Sequence, residues 1–258
     1  MKFVAFLPES FQRFFIDVAG IGRFTSRFFR HVFKPPLELR EVLNQAYQLG
    51  YKSLFLVSIT GFIIGMVMTL QMKPTMEQFG AESWLPSMVS ISIIREIGPV
   101  LTALICAGKI GSGIGAELGS MKVTEQIDAM TVSGANAFNY LVVTRVIATT
   151  LTVPLLVYYA DAISLLGSYV GVNLEASVSP TLFYNQSLGA LTFSDIIPAT
   201  LKTFFFGFAI GIVGCYKGTT AENGTTGVGN AANSAVVISS LLIFIIDLLA
   251  VQFTQLVI

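Results

Sequence analysis

Five long apolar stretches restrict the folds that are open to this chain. They cover about residues 53–72, 84–107, 141–170, 196–216 and 235–257. Each reaches the roughly 20 residues with which a helix crosses a bilayer, and only helices and closed barrels satisfy their backbone hydrogen bonds in lipid. Charged residues make up 12% of the chain, against about 25% in a soluble domain. The sequence therefore predicts an all-α polytopic membrane protein with about five transmembrane helices.

The amino-terminal residues are not expected to form a signal peptide, because Arg13, Asp17 and Arg23 interrupt the apolar run that such a peptide needs. Apolar residues recur there at helical spacing with the arginines off that face, which indicates an amphipathic helix in the membrane interface. The apolar face consists of Phe11, Phe14, Phe15, Val18 and Ile21. A helix packed on a soluble partner is the alternative.

Lysine and arginine are distributed unevenly along the chain. Eight of them precede the first span, whereas the loop at about 171–195 has none. Because cytoplasmic loops are enriched in Lys and Arg, the N-terminus and the loops after the second and fourth spans are predicted to be cytoplasmic, and the C-terminus periplasmic. We divide the chain into an amino-terminal interfacial region, 1–50, and one transmembrane domain, 51–258.

The second apolar stretch contains two adjacent charges, Arg95 and Glu96. We expect them near mid-membrane, where a charge costs roughly 2.5–3.5 kcal/mol and is kept when something uses it. Pro99 removes the backbone hydrogen bond to the Arg95 carbonyl and is expected to kink the helix there. Neutralisation of both charges within the bundle is the structural alternative.

Two further acids lie within predicted spans, Asp161 and Asp247. Intramembrane carboxylates can form proton relays, although a hydrogen-bonded structural role is the simpler interpretation. One candidate function is therefore a proton-coupled secondary transporter that uses these acids, and another is a non-transporting scaffold.

The segment at 108–130 begins with Gly108, Gly111, Gly115 and Gly119. Their order does not match a phosphate-binding loop, whereas small residues at this spacing let helices approach closely in membranes. The pattern therefore predicts tight packing where the second span leaves the bilayer.

Residues 120–130 are predicted to form a short amphipathic cytoplasmic helix. Its apolar side holds Val123, Ile127 and Met130, and its polar side holds Lys122, Glu125, Gln126 and Asp128. Such a helix can dock in a groove of a soluble partner or remain an unpartnered surface helix.

Metal and nucleic-acid binding find no support in the sequence. The single histidine, His31, excludes a histidine-based metal cluster, and Cys106 and Cys215 fall in or beside apolar stretches, as small core residues do. The formal net charge is zero, which gives no nucleic-acid footprint.

Several sequence runs resemble the MlaE/YrbE permease family, the membrane subunits of ABC lipid transporters that work with MCE-domain proteins. The runs are REIGPVLTAL from Arg95, AGKIGS from Ala107, AELGSMKVTEQIDAM from Ala116, GFIIGMVMTLQ from Gly61 and GCYKG from Gly214. The similarity covers about residues 40–257. Two loop ends depart from the family pattern, since Gly134-Ala135-Asn136-Ala137 lacks the usual proline and Thr144-Arg145 replaces a Pro-Arg pair.

The resemblance implies roles for two groups of residues. Residues 120–130 would be the coupling helix in a cleft of an ATPase subunit, with Glu125 and Asp128 pairing with basic residues there. The coupling contacts would be Lys122, Glu125, Gln126, Ile127, Asp128 and Met130. Lipid would be bound by Glu96, with Arg95 as its neighbour. The other candidate lining residues are Met66, Leu70, Gln71, Met72 and Pro74, since methionines suit variable acyl chains, and packing in the core is the alternative for the methionines. Adjacent helical residues point about 100° apart, so Arg95 and Glu96 are expected to face different surroundings.

The predicted function is that of a permease subunit rather than an enzyme. It would work as a homodimer in a bacterial inner membrane, with a lipid cavity between the copies, mainly lined by spans one, two and five. ATP and magnesium would be bound by the ATPase subunit, and this chain would hold no cofactor. Phospholipid would pass between the inner membrane and a periplasmic MCE protein, which maintains outer-membrane lipid asymmetry.

Overall fold

A computed structural model describes the backbone of residues 9–34, 38–174 and 178–257, and the side chains from residue 16 to residue 256 within those ranges. The described part is helical and has no strand. Its helices are α1 Glu9–Val32, α2 Leu39–Gln78, α3 Glu82–Val123, α4 Gln126–Val132, α5 Phe138–Asn173, α6 Pro180–Gly189, α7 Phe193–Thr219 and α8 Thr225–Val257. Five of them, α2, α3, α5, α7 and α8, are long and apolar enough to cross a membrane, which confirms the predicted fold class.

The spanning helices are longer than the apolar stretches that predicted them. Helix α2 has 40 residues and is therefore about 60 Å long, twice the roughly 30 Å of the hydrocarbon core. It runs through residue 50 without a break, so the proposed boundary between an interfacial region and a transmembrane domain lies inside a helix and stays a prediction.

Helix α5 is the most buried span and packs along α2 through small residues. A methyl group on Gly65 would overlap the Ser164 carbonyl, and one on Gly167 would overlap the Phe62 carbonyl. Ser164 donates a hydrogen bond to the Gly61 carbonyl at 2.9 Å. The two backbones therefore touch, as small residues permit in membrane helices.

Helix α3 contains two π turns, at Ile93–Ile97 and at Ala107–Gly111. At the first, the Gly98 amide donates to the Ile93 carbonyl, five residues earlier. A kink was predicted at Pro99. The helix instead has a wider turn just before Pro99 and continues as an α-helix after it. Turns of this kind are frequent at functional sites.

The glycines at the end of α3 pack as predicted with one exception. A Cβ on Gly115 would lie 3.2 Å from Ala232 of α8, one on Gly119 3.4 Å from Ala221, and one on Gly111 3.5 Å from Ile210. Gly108 has nothing within 4 Å of such a Cβ, so the prediction of tight packing is wrong there.

Helix α1 lies across one end of the bundle, which we call the α1 end. Phe28 is buried, and Asp17 forms an ion pair of 2.7 Å with Lys217 at the end of α7. Val18 and Phe29 are exposed. The apolar residues of α1 therefore form two faces, one against the bundle and one outward. Ile21 belongs to the first face, and the side chains of Phe11, Phe14 and Phe15 lie outside the described residues.

The predicted single helix over 120–130 is wrong in its bounds. Helix α3 ends at Val123 and α4 begins at Gln126. Glu125 between them has φ 59°, in the left-handed region, which interrupts the helix. Ile127 and Met130 are partly buried and pack against the core of the chain itself, an arrangement that their spacing alone did not predict.

Candidate functional site

A small polar pocket lies between α3, α7 and α8 at the end of the bundle opposite the α1 end. It encloses about 50 Å³. Its lining residues are Arg95 and Glu96 of α3, Ser194, Asp195, Pro198, Ala199 and Lys202 of α7, and Ala250, Val251, Thr254 and Gln255 of α8. The two charges singled out in the sequence therefore share one pocket, but they do not pair with each other, and each has its own partner on α7.

Lys202 is the centre of a three-charge cluster in this pocket. Its side chain is only 3% exposed, and its Nζ lies 2.6 Å from Glu96 Oε2 and 2.8 Å from Asp247 Oδ1. A buried ammonium without partners would be strongly unfavourable, whereas two carboxylates compensate its charge. Glu96 remains 46% exposed, so the cluster fixes this carboxylate and still presents it to the pocket.

Arg95 is held by the first turn of α7. Its Nε lies 3.5 Å from Asp195 Oδ1. Asp195 also accepts from the Thr192 backbone amide at 2.9 Å and forms the capping box of α7 with Thr192. Arg95 therefore contacts the first turn of α7, and its predicted position near mid-membrane stays a prediction.

An apolar groove between α7 and α8 opens from the polar pocket. It has a volume of about 700 Å³ and shares Pro198, Lys202, Ala250 and Thr254 with the pocket. The other lining residues are Ile197, Leu201, Phe205, Ile246, Leu249 and Phe253. Charged groups at one end of an apolar channel can bind an amphipathic molecule, with its polar part at Arg95 and Glu96.

The predicted lipid-binding residues of α2 lie elsewhere in this chain. None of them lines the pocket or the groove. Met72 packs on the cluster of Leu85, Val89 and Phe183, formed by α3 and α6. Leu70, Gln71 and Pro74 are exposed, and Met66 is half-buried beside Gly171 of α5. Within a single chain, Arg95 and Glu96 therefore lie in one pocket, but the predicted lipid-binding residues of α2 do not contribute to it.

The two further acids differ in their surroundings. Asp247 accepts a hydrogen bond from Lys202, as a hydrogen-bonded structural role requires, and that role stays a prediction. Asp161 is 7% exposed, and its Oδ1 has no hydrogen-bond partner among the described residues. The expected hydrogen-bonded role is therefore not seen at that oxygen of Asp161.

The segment resembling a coupling helix lies at the α1 end. Lys122 and Asp128 form an exposed ion pair of 2.9 Å, so Asp128 already has a basic partner within the chain. Glu125, Gln126 and Asp128 are exposed and available to another protein. Close by, the buried Arg145 donates to Glu117 at 2.8 Å and ties α5 to α3.

Of the four charged residues that line the pocket, sequence reasoning missed two, Lys202 and Asp195. A lone lysine inside an apolar stretch is the same signal that pointed to Arg95 and Glu96. Asp195 follows Thr192 in a pattern close to a capping box, which marks the start of a helix. Both signals were therefore present.

Cys106 and Cys215 are free and fully buried in the main core, which confirms their prediction as small core residues. Among the side chains that the structure describes, no three His, Cys, Asp or Glu residues are grouped as metal ligands would be.

The sequence matches the family model described as Permease MlaE over residues 42–253. It is 39% identical over 221 residues to a probable ABC transporter permease protein of Rickettsia typhi, which covers 86% of this chain and 85% of that one. A probable ABC transporter permease protein of Synechocystis is 36% identical, with 86% and 84% covered. The chloroplastic protein TRIGALACTOSYLDIACYLGLYCEROL 1 of Arabidopsis thaliana is 32% identical, with 86% of this chain and 63% of that protein covered.

Proposed function

This chain belongs to the MlaE permease family, and on that premise we propose that it is the membrane subunit of an ATP-driven phospholipid transporter. The observation that carries the lipid part is the charged pocket of Arg95, Glu96 and Lys202 opening into an apolar groove of about 700 Å³. A phospholipid has the same division into a charged headgroup and apolar chains. The name of the Arabidopsis relative, which contains that of a galactolipid, supports a lipid substrate.

In this proposal, the polar pocket holds the headgroup. Arg95 is 49% exposed and meets Asp195 through Nε, and a guanidinium has five N–H donors in a fork that suits phosphate. Glu96, oriented by Lys202, is placed to accept from an amine or hydroxyl of the headgroup. The groove between α7 and α8 takes an acyl chain.

ATP and magnesium are bound by a separate ATPase subunit, which docks on the segment from Lys122 to Met130. The Lys122–Asp128 pair is exposed and such pairs contribute little to stability, so the ATPase can replace either partner. ATP-driven closure shifts this segment and changes lipid affinity, and transport requires two conformations that bind lipid differently.

We propose that two copies of the chain form a homodimer in a bacterial inner membrane, with the α1 end cytoplasmic and the C-terminus periplasmic. The cavity between the copies is then lined by residues of α2, namely Met66, Leu70, Gln71, Met72 and Pro74. Three of these, Leu70, Gln71 and Pro74, are exposed in the single chain and so are free to face a second copy. A periplasmic MCE protein exchanges lipid with this cavity and so helps to maintain outer-membrane lipid asymmetry.

The first test is purification of the tagged chain from its native membrane in a mild detergent, followed by mass spectrometry of the proteins and lipids that co-elute. We expect a stoichiometric ATPase, an MCE protein and phospholipid. A chain that elutes alone even after crosslinking contradicts the ABC assignment and favours a secondary transporter, which needs no ATPase and responds to pH.

The groove is tested by filling it. Ala250 lines both the pocket and the groove, so Ala250→Trp is expected to reduce co-purified phospholipid at least fivefold. Leu248→Trp, on the exposed outer side of the same helix turn, is the matched control and should retain lipid. Equal lipid in the two variants places the lipid outside this groove.

A further inference from the structure

Asp161 is a buried acid that the proposed transport cycle does not use. It lies in α5 behind the charged pocket, from which Ala199 of α7 separates it, since Ala199 lines both spaces. Oδ1 of Asp161 has no hydrogen-bond partner among the described residues. Its cavity is lined by neutral residues, including Ile94, Pro99 and Tyr158, and by no Lys or Arg among the residues described.

An ionised carboxylate is therefore poorly suited to this place. Burial of a charge without a compensating partner is far more costly than burial of a neutral polar group. A neutral carboxylic acid has one O–H donor to place, and a buried donor requires an acceptor.

The π turn of α3 supplies such an acceptor. Gly98 donates to Ile93, and the next residue, Pro99, has no N–H. A backbone N–H at residue 99 would donate to the carbonyl of Ile94 in a π turn or of Arg95 in an α turn. Because Pro99 has no such N–H, that carbonyl is left without its backbone donor. Ile94 lines the same cavity as Asp161.

Gly98 makes the approach of Asp161 to this turn possible. A methyl group on Gly98 would overlap Asp161 Oδ1 and would lie 2.9 Å from the Ile93 carbonyl oxygen. The carboxyl group is therefore in contact with the backbone of the π turn, at the place where hydrogen is the only side chain that fits.

We propose that Asp161 is a neutral carboxylic acid that donates its O–H to a free carbonyl of the π turn at Ile93–Ile97. It is a positioning residue, because that turn carries Arg95 and Glu96. The inference does not depend on the transported substrate, and it accounts for an intramembrane acid without a proton relay.

The test is infrared difference spectroscopy of the purified chain in lipid at neutral pH. Subtraction of the Asp161→Asn spectrum from the wild-type spectrum should leave the C=O stretching band of a protonated carboxylic acid. Asp247→Asn is the control: Asp247 is paired with Lys202, so its subtraction should leave carboxylate bands.

Thermal unfolding of the same samples tests whether Asp161 stabilises the chain by donating a hydrogen bond or only by filling space. Asparagine keeps a donor at this position, so Asp161→Asn should unfold close to the wild-type temperature, whereas Asp161→Ala should unfold about 4 °C lower. The proposal is overturned by a carboxylate band for Asp161. It is also overturned if the Asp161→Asn chain fails to fold or if its unfolding temperature falls as far as that of the alanine variant.

Discussion

At the scale of residues, the pocket depends on a single buried lysine. Arg95 and Glu96 could be found from the sequence because two adjacent charges stand out in an apolar stretch. Lys202 also stands out as a charge in an apolar stretch, but the sequence around it does not reveal which residues compensate that charge. Its partners Glu96 and Asp247 are 106 and 45 residues away along the chain, and no local pattern connects them.

We predict that Lys202→Met lowers the free energy of unfolding by about 3 kcal/mol, because removal of one partner leaves the carboxylates of Glu96 and Asp247 without their buried counter-charge. Thermal unfolding in detergent measures the change.

The control is the triple variant Glu96→Gln, Lys202→Met, Asp247→Asn, which removes all three charges and should recover most of the lost stability. If Lys202→Met is as stable as the wild type, the cluster does not hold these helices together.

At the scale of elements, apolar length predicted all five spans but not where the helices end. The ends of α2 extend beyond the hydrocarbon core, where polar residues are compatible with a helix, so hydropathy does not mark them. The π turns of α3 were not predicted either: Pro99 pointed to a kink, but no local pattern indicated a wider turn at Ile93–Ile97 or at Ala107–Gly111. Glycine spacing did predict tight packing at the end of α3, although it did not identify α8 as the partner.

Gly65→Ala is expected to destabilise the chain by about 2 kcal/mol, because the added methyl would overlap the Ser164 backbone and neither helix can yield without separating from the other. Gly108→Ala is the matched change, since its methyl meets nothing within 4 Å, and it should be neutral or slightly stabilising. Equal unfolding temperatures for the two variants would contradict the tight α2–α5 contact.

The segment between Lys122 and Met130 gives a second prediction at this scale. Asp128→Lys should reduce co-purification of the ATPase about tenfold, because the new charge repels the basic partners that we propose for this segment. Asn185→Lys places the same charge on exposed α6 at the opposite end of the bundle and should leave the ATPase bound. Loss of the ATPase in both variants would indicate a general defect of assembly.

At the scale of the whole molecule, the polar pocket and the proposed coupling segment lie at opposite ends of the bundle. The pocket is built by α3, α7 and α8, whereas the proposed coupling segment lies with α1. The sequence predicted which residues carry charge and which segments span, but not which helices are neighbours. That information lies in side-chain packing between distant parts of the chain, so the pocket could not be assembled from the sequence.

The predicted orientation is tested by cysteine labelling in intact cells. Cys106 and Cys215 are fully buried, so the native cysteines should not react and can be kept. Asn185→Cys should react with a membrane-impermeant maleimide that reaches the periplasm, and Ser133→Cys should react only after the inner membrane is opened. The reverse pattern would invert the assigned topology.

The wide separation of the ion-pair partners along the chain has a consequence for biosynthesis. Glu117 precedes Arg145 by 28 residues, so the buried arginine can meet its partner as soon as α5 leaves the ribosome, since chains fold from the N-terminus during synthesis. Glu96, in contrast, must wait for Lys202, and Lys202 must wait for Asp247 in the last helix. The nascent chain therefore completes its polar pocket only when α8 has been inserted, and a product truncated before α8 retains a lysine with half of its counter-charge.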